Sequence, residues 1–359
     1  MTASVRMRED RNCQWRVAAR PADNVRDTDF AWHEEPIPVP REGEFLLRTL
    51  YLGVRPVMRM YMQGIAAAGE RPLEIGDVIH GRGVAEVVRS QHPDFSAGDI
   101  VHGQLGWQTW KVSQGTQEER FIKMPQTGAP FIYGAGATGM NGFSAYGGLI
   151  ELGKPAPGET LVVSAAAGGV GSTVVQIGNI LGCRVIGIAG GPDKCKLVES
   201  IGCAAAIDYK SEDLAVRIKE LCPTGIDIYF DNVGGETLEI MLENLAFGAR
   251  IVLCGSISEY MRNEPFGLTN YTRLRRVNGS MHGFFVYNFA PRFTAMADQL
   301  SAWINEGKLQ PVQNIIDGFE NMPGALADLY AGKNTGIQIC RVRGEPEECA
   351  PLPEFGEPR

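Results

Sequence analysis

The sequence predicts an α/β fold, a small β-barrel followed by a doubly wound parallel sheet, and three observations predict it. From about residue 13 to 125 the chain reads as short runs of Val, Leu, Ile, Tyr and Trp bounded by Gly, Pro and Asp, the texture of a small barrel. Past residue 135, apolar runs recur about every 20–25 residues with helix-period segments between them, the mark of parallel strands joined by crossover helices. Those later runs are almost continuously apolar, as strands are when helices cover both faces of their sheet.

In chain order, EFLLRTLYLGV (44–54), DVIHGRGVAEVVRS (77–90), DIVHGQLGW (99–107) and TWKVS (109–113) are the barrel strands. HPDFSAGD (92–99) is a turn-rich connector. A helix is expected around MNGFSAYGGLIEL (140–152). The strand TLVVSA (160–165) then feeds the helix GGVGSTVVQIGNILG (168–182), and RVIGIAG (184–190) precedes the helix DKCKLVESIG (193–202). The strand AAAIDY (204–209) leads to the helix DLAVRIKELC (213–222), and GIDIYFDNVGG (225–235) is a strand running into a glycine turn. TLEIMLENLA (237–246) reads as helix, ARIVLCGSIS (249–258) and MHGFFV (281–286) as strands, and FTAMADQLSAWINEGKL (293–309) as a long helix. NIIDGFENMPGALADLYAGKNTGIQICRV (314–342) gives strand, helix, strand, which either extend the parallel sheet or return to the barrel. The acidic, proline-rich GEPEECAPLPEFGEPR (344–359) is expected to be a loosely held tail.

A chain of 359 residues is long enough for two ordinary domains. Its 34 Lys+Arg against 42 Asp+Glu leave a net charge of −8 and a pI near 5.3. That balance argues against a nucleic-acid partner, which needs a basic face. No run of about 18 apolar residues is present, so no membrane-spanning helix is expected. Eight scattered cysteines with no C-x-x-C pair, and five histidines that pair with none of them at ligand spacing, point to reduced thiols and no metal. His80 and His102 lie in strand-like segments that can meet in space. The N-terminus lacks the apolar core of a secretory signal, and Glu9 and Asp10 count against a presequence. A cytoplasmic location is expected.

The chemistry is concentrated in LVVSAAAGGVGS (161–172), where a buried strand, a small-residue turn and a helix follow one another. The spacing is Ala166-x-Gly168-x-x-Gly171, with Ala166 in place of the usual first glycine. Gly168 lets the backbone approach a pyrophosphate and Gly171 lets the helix pack closely, while the helix start offers unpaired N–H groups to phosphate oxygens. An NAD site carries an acidic residue about 20 residues further on. Here Ala189-Gly190-Gly191-Pro192 stands there, with Lys194 following Asp193 and Tyr209 ending the next strand. A small open turn beside a cation suits a 2′-phosphate, so the expected cofactor is NADPH. Two further glycine turns end strands where ligands bind in open sheets. They are DNVGG (231–235), with Asn232 facing the cofactor, and CGSISEY (254–260), which ends at Tyr260.

These features resemble the medium-chain dehydrogenase/reductase superfamily, and within it the zinc-free branch of prostaglandin reductases (leukotriene B4 12-hydroxydehydrogenases), plant 2-alkenal double-bond reductases and bacterial curcumin reductases. The marks are VRPVMR (54–59), GMNGFSAYGGLIELG (139–153), AAAGGVGS (165–172), DYK (208–210), FDNVGGE (230–236), CGSISEY (254–260), FENMPGAL (319–326) and GKNTGIQ (332–338). The resemblance spans about residue 13 to 343. It implies a GroES-like β-barrel domain interrupted in sequence by a Rossmann domain, over 1–134, 135–311 and 312–343, with 344–359 as a flexible tail. It implies pyrophosphate contacts at Gly168, Gly169, Val170 and Gly171, and 2′-phosphate contacts at Lys194 and Tyr209. Asn232, the loop Cys254, Gly255, Ser256 to Tyr260, the segment Phe284, Phe285, Val286, and Asn334 are implied at the ribose and nicotinamide end. Homodimers are usual in this family. Arg55, Val57 and Asn141 depart from its pattern near the substrate, and the Gln63 to Arg71 loop shapes the substrate rim.

Without zinc, an α,β-unsaturated ketone or aldehyde is the suitable substrate, because conjugation already makes its β-carbon electrophilic. Hydride transfer to that carbon and protonation of the resulting enolate complete the reduction. Tyr260 is the candidate catalytic donor to the enolate oxygen, in competition with a ribose hydroxyl of the cofactor. The alternative enzyme is a zinc-free NADPH quinone oxidoreductase.

Overall fold

The computed structural model describes residues 5–65, 70–124, 129–260, 262 and 264–350. The chain forms two compact units, dividing at 139/140, 313/314, 334/335 and 337/338. The breaks expected from the sequence fall at 134/135 and 311/312.

The first unit opens with a hairpin of β1 (Arg11–Val17) and β2 (Phe30–Pro36), in register from Arg11–Pro36 to Val17–Phe30. The Trp15 ring meets Trp32 edge-on at 5.0 Å, and its indole N–H donates to the Phe319 carbonyl. Then come β3 (Phe45–Val54), the short helix α1 (Val57–Met62), β4 (Arg82–Ser90), β5 (Ile100–Gln104), β6 (Trp110–Ser113) and β7 (Ile122–Lys123). The sequence reading did not name α1. Pro56 opens it, and the fully covered Arg59 holds it against the carbonyls of Ala22 and Asp23.

The second unit begins with α2 (Met140–Tyr146), which continues as a wider π-type turn through Gly147–Gly153. A side chain at Gly147 would come within 2.4 Å of Phe289, and one at Gly148 within 2.9 Å of Phe230. The alternation then runs β8 (Thr160–Val163), α3 (Gly171–Ile180), β9 (Arg184–Ala189), α4 (Pro192–Ser200), β10 (Ala205–Asp208), α5 (Leu214–Leu221), β11 (Ile226–Asp231), α6 (Gly235–Leu242) and β12 (Leu245–Leu253). The four-residue α7 (Arg273–Arg276), β13 (Ser280–Gly283) and α8 (Phe293–Asn305) complete it. The six strands are parallel in the order β10-β9-β8-β11-β12-β13. The order reverses between β8 and β11, where open α/β sheets take their ligands. Val162, Ile186, Ile207, Tyr229 and Ile251 pack with α5 and α6 into one apolar cluster.

One expected helix is corrected here. The segment 237–246 is helical only to Leu242, and Leu245 is already in β12 beside Ile226. Asn244 closes the helix, its backbone N–H donating to the Met241 carbonyl and its side chain to that of Ile240.

The chain then returns to the first unit with β14 (Gln313–Asp317), α9 (Met322–Tyr330) and β15 (Ile337–Arg341). The seven-stranded sheet has the order β14-β15-β3-β4-β5-β7, with β6 also on β3. Every described pairing from β15 to β7 is antiparallel. β4 runs along one edge of β3, while β6 and β15 share the other, at Phe45–Arg48 and Tyr51–Val54. Flanked along both edges, β3 is buried at every residue. A pairing that would close this sheet into a barrel is not among the described residues.

The residues leading into the tail, and the tail itself as far as residue 350, are bonded to the first unit. The buried Arg343 lies 5.0 Å over the Trp110 ring and donates to the carbonyls of Thr49 and Thr109. The Glu345 carboxylate accepts from the Tyr51 hydroxyl at 3.0 Å and from the Phe131 N–H at 3.3 Å, and Arg48 donates to the Ala350 carbonyl. Residues 351–359 lie outside the described residues. No helix among the described residues is long and apolar enough to cross a membrane.

Candidate functional site

At the end of β8 the chain turns sharply. Ala165 takes a left-handed φ of 46°, so the strained position is Ala165 and not Ala166, the residue that the spacing aligns with the missing first glycine. The bend is closed by the Gly168 N–H donating to the Ala165 carbonyl and by the Ala166 N–H donating to the Ile188 carbonyl. A side chain at Gly171 would stand 2.3 Å from the Ala165 carbonyl oxygen, so only glycine lets α3 start this close to the turn. The N–H groups of Val170 and Gly171 have no acceptor among the described residues, and no side chain caps α3. Unpaired donors at a helix start, with its positive dipole end, are what a pyrophosphate requires.

The end of the chain supports this turn. Gly336 bridges Gly168 in parallel fashion and its N–H donates to the Ala167 carbonyl at 2.7 Å. Its φ of +69° and the Val312 carbonyl beside it exclude a side chain, which explains the glycine of GKNTGIQ. Asn141, on the first turn of α2, brings its amide nitrogen to 2.7 Å from where a Gly169 side chain would begin. It therefore stands at the phosphate turn.

The ends of β9 and β10 meet at Gly190. A side chain there would lie 2.9 Å from the Tyr209 hydroxyl and 3.0 Å from the Lys210 stem. Lys194, on the first turn of α4, is half-buried, and burial with the nearby Lys210 charge holds its ammonium below the ordinary lysine range. The Lys210 stem and the Tyr209 phenol thus lie over one glycine, and the Lys194 charge is close enough to Lys210 to feel it. The Asp208 carboxylate is committed elsewhere, accepting from the N–H of Gly191 at 2.7 Å, the N–H of Lys210 and the Ser211 hydroxyl. Those bonds, chiefly that of Gly191, hold its pKa low. Sequence reasoning singled out neither Lys210 nor Asp208, although both lie in the DYK motif.

The switch point is organised by Asp231. Its Oδ1 accepts from the Tyr229 hydroxyl at 2.7 Å, from Ser164 Oγ at 3.1 Å, and from the N–H groups of Val233 and Gly234 at 3.0 Å each. Burial nevertheless pushes its carboxyl above the ordinary range. Asn232 is fixed through Ser164, its N–H donating to the hydroxyl and its side-chain amide to the carbonyl. The Cys254 and Gly255 N–H groups donate to the Asp231 carbonyl. Burial pushes the Cys254 thiol up to about 12, so it stays neutral. The Tyr260 hydroxyl accepts from the Ser256 N–H at 3.5 Å, and burial raises its pKa, which keeps it protonated at neutral pH. Sequence reasoning missed Ser164 and Asp231, because their value lies in contacts across the sheet.

Phe284, Phe285 and Val286 follow β13 and are half-buried. Phe284 packs on Gly148 and lies 5.7 Å from Phe289. Asn334 belongs to the first unit, one residue before the segment that carries Gly336. Also in the first unit, Arg55 folds over Gly53 and donates to the Ala135 carbonyl at 3.3 Å, and Val57 begins α1. Of the Gln63 to Arg71 loop, residues 66–69 lie outside the described residues. All eight cysteines are free thiols and none is exposed. Among the described residues no group of three or more His, Cys, Asp or Glu could hold a metal ion.

Residues 13–121 match the family described as the N-terminal domain of oxidoreductase, and residues 169–302 that described as zinc-binding dehydrogenase. The chain is 38% identical over 346 residues to the NADPH-dependent curcumin reductase of Escherichia coli, covering 94% of this chain and 99% of the other. It is 37% identical to the NADP(+)-dependent 2-alkenal reductase of Nicotiana tabacum, over 84% and 88% of the two chains. With bovine prostaglandin reductase 1 it shares 36% identity over 88% and 94%. The crystal structure of CurA from Vibrio vulnificus in complex with NADPH superposes with a TM-score of 0.85 at 37% identity, covering 92% of this chain and 99% of that one. The chain therefore belongs to the medium-chain dehydrogenase/reductase superfamily, in the branch that holds the curcumin, 2-alkenal and prostaglandin reductases.

Proposed function

We propose that this protein reduces the carbon–carbon double bond of α,β-unsaturated ketones and aldehydes with NADPH, placing hydride on the β-carbon and a proton on the α-carbon. The observation that carries the reading is the pairing of an open helix start at Val170–Gly171 with Tyr209 and Lys210 over Gly190 and the Lys194 charge close to that of Lys210. The names of the similar curcumin, alkenal and prostaglandin reductases agree with it. NADPH supplies the hydride when bound. The chain supplies the binding: Gly168, Gly169, Val170 and Gly171 take the pyrophosphate, and Lys194 and Tyr209, joined by Lys210, take the 2′-phosphate. Asn232, the turn from Cys254 through Gly255 and Ser256 to Tyr260, the segment Phe284, Phe285 and Val286, and Asn334 hold the ribose and the nicotinamide.

A reacting enone develops negative charge on its oxygen, and a neutral donor placed there lowers the barrier. Tyr260, buried and protonated, is that donor in this proposal. We place the enzyme in the cytoplasm as a homodimer.

The test is NADPH oxidation across a panel of enones, enals and quinones, repeated with NADH. Turnover of enones well above quinones, with a much lower KM for NADPH than for NADH, is expected. Faster quinone turnover would favour the quinone oxidoreductase alternative.

A further inference from the structure

We propose that Asp231 is a positioning residue, whose buried carboxylate ties together two of the three turns holding the inner half of the cofactor, while its backbone carbonyl holds the third, and that the carboxylate thereby sets cofactor affinity. The inference rests on the NADPH reading above and concerns how that site is held in shape.

Asp231 ends β11, beside the point where the strand order reverses. From there it reaches all three turns. Through Oδ1 it holds Ser164, the first residue after β8, and the N–H groups of Val233 and Gly234 in the turn that leads to α6. Through its carbonyl it holds Cys254 and Gly255, the first residues after β12. Ser164 passes the constraint to Asn232 by accepting that residue's N–H at 2.9 Å. Loss of the carboxylate therefore frees Ser164, Asn232 and the Val233–Gly234 bend together.

Stability alone does not explain an acid in this place. The side chain is 1% exposed, and Oδ2 has no partner among the described residues, a costly arrangement for a carboxylate. The direction of its titration agrees. Its folded-state pKa is raised, so the folded chain holds the proton longer than the unfolded chain, and stability falls as pH rises through that window. The ionised group weakens the fold, and what it supplies is geometry at the switch point. Tyr229 also donates to Oδ1 and its hydroxyl lies within hydrogen-bond reach of Ser164, but its backbone is in the strand and its ring in the apolar cluster, so it links no further turn.

Three variants separate the roles, with NADPH affinity read by fluorescence titration and folding by thermal unfolding. Asp231→Asn and Ser164→Ala should each raise the NADPH Kd roughly tenfold, the scale of one charge-assisted hydrogen bond, with little change in unfolding temperature. Their double variant should be no worse than the weaker single one, because they break the same connection. Tyr229→Phe should leave the Kd within about twofold. Should Asp231→Asn fail to fold, Ser164→Ala against Tyr229→Phe still decides the question. Wild-type affinity in both turn variants, or an equal loss in Tyr229→Phe, overturns the inference while leaving the NADPH reading intact. Absence of NADPH binding by the wild-type protein overturns both.

Discussion

At the ends of β9 and β10, Tyr209 is 55% exposed and Lys210 stands in solvent, while at the end of β11 Asp231 is 1% exposed and Ser164 is wholly covered. In the proposed function the two places are the outer and inner ends of one nucleotide site. The outer end is built on charge: the Lys210 stem and Tyr209 lie over Gly190, and the charges of Lys194 and Lys210 repel one another. The inner end is already bonded through one carboxylate oxygen of Asp231, which takes four donors. Charge in solvent tolerates substitution and is screened by salt, whereas a buried network fails as a unit. Affinity should therefore erode gradually at the outer end and abruptly toward the inner one.

The largest effect is expected between the two, at Gly171. Gly171→Ala would put a methyl group 2.3 Å from a backbone carbonyl that has nowhere to go, so kcat/KM for the enone reaction should fall by roughly 10³-fold, about 4 kcal/mol. Near-normal kinetics would show that the turn is softer than its contacts indicate. Next is Tyr260→Phe, which should lower kcat by roughly 10²-fold, the low end for a positioned proton donor. If turnover survives within about twofold, a cofactor hydroxyl or water serves the enolate. At the outer end, Lys194→Ala and Lys210→Ala should each raise the KM for NADPH about tenfold with kcat unchanged. Added salt should shrink the difference between variant and wild type, and a salt-independent loss would contradict recognition by exposed charge.

The smallest effect concerns pH. The folded-state pKa of Lys194 is depressed by burial and by Lys210, so Lys194 loses its proton earlier than an ordinary lysine as pH rises, and NADPH affinity should decline with it. Without cofactor the sign reverses for stability. A base with a lowered folded pKa gains relative stability as pH rises from that pKa toward the unfolded value. Thermal unfolding of the wild type against Lys194→Ala across the alkaline range measures this, and parallel curves would remove Lys194 from the account.

The outer end was more legible in the sequence than the inner one. Glycine spacing, the missing acid at Ala189–Pro192 and the cation at Lys194 are local signals, readable within one βα unit. The inner end depends on partners far apart in the chain, such as Ser164 with Asp231 and Asn232, which only the parallel sheet brings together. The strands of that sheet were legible because each is a continuous apolar run. The early hairpin of Arg11–Val17 and Phe30–Pro36 was not, since its half-exposed second strand carries His33, Glu34 and Glu35 among its aromatics. The end of the helix at Leu242 was equally hidden, because Leu245 and Ala246 suit either state and pairing with Ile226 decides. Membership of the sheet by β14 and β15 could not be read from periodicity at all, as strand, helix, strand fits both sheets.

The bridge from Gly336 to Gly168 bears on how the protein comes into being. The Ala167 carbonyl and the Val312 carbonyl both wait for N–H groups at Gly336 and Ile337, more than twenty residues beyond α8. A ribosome has thus added α8, β14 and α9 before the phosphate turn receives its last support. A nascent chain released before that point would carry all six parallel strands and still lack a finished nucleotide pocket.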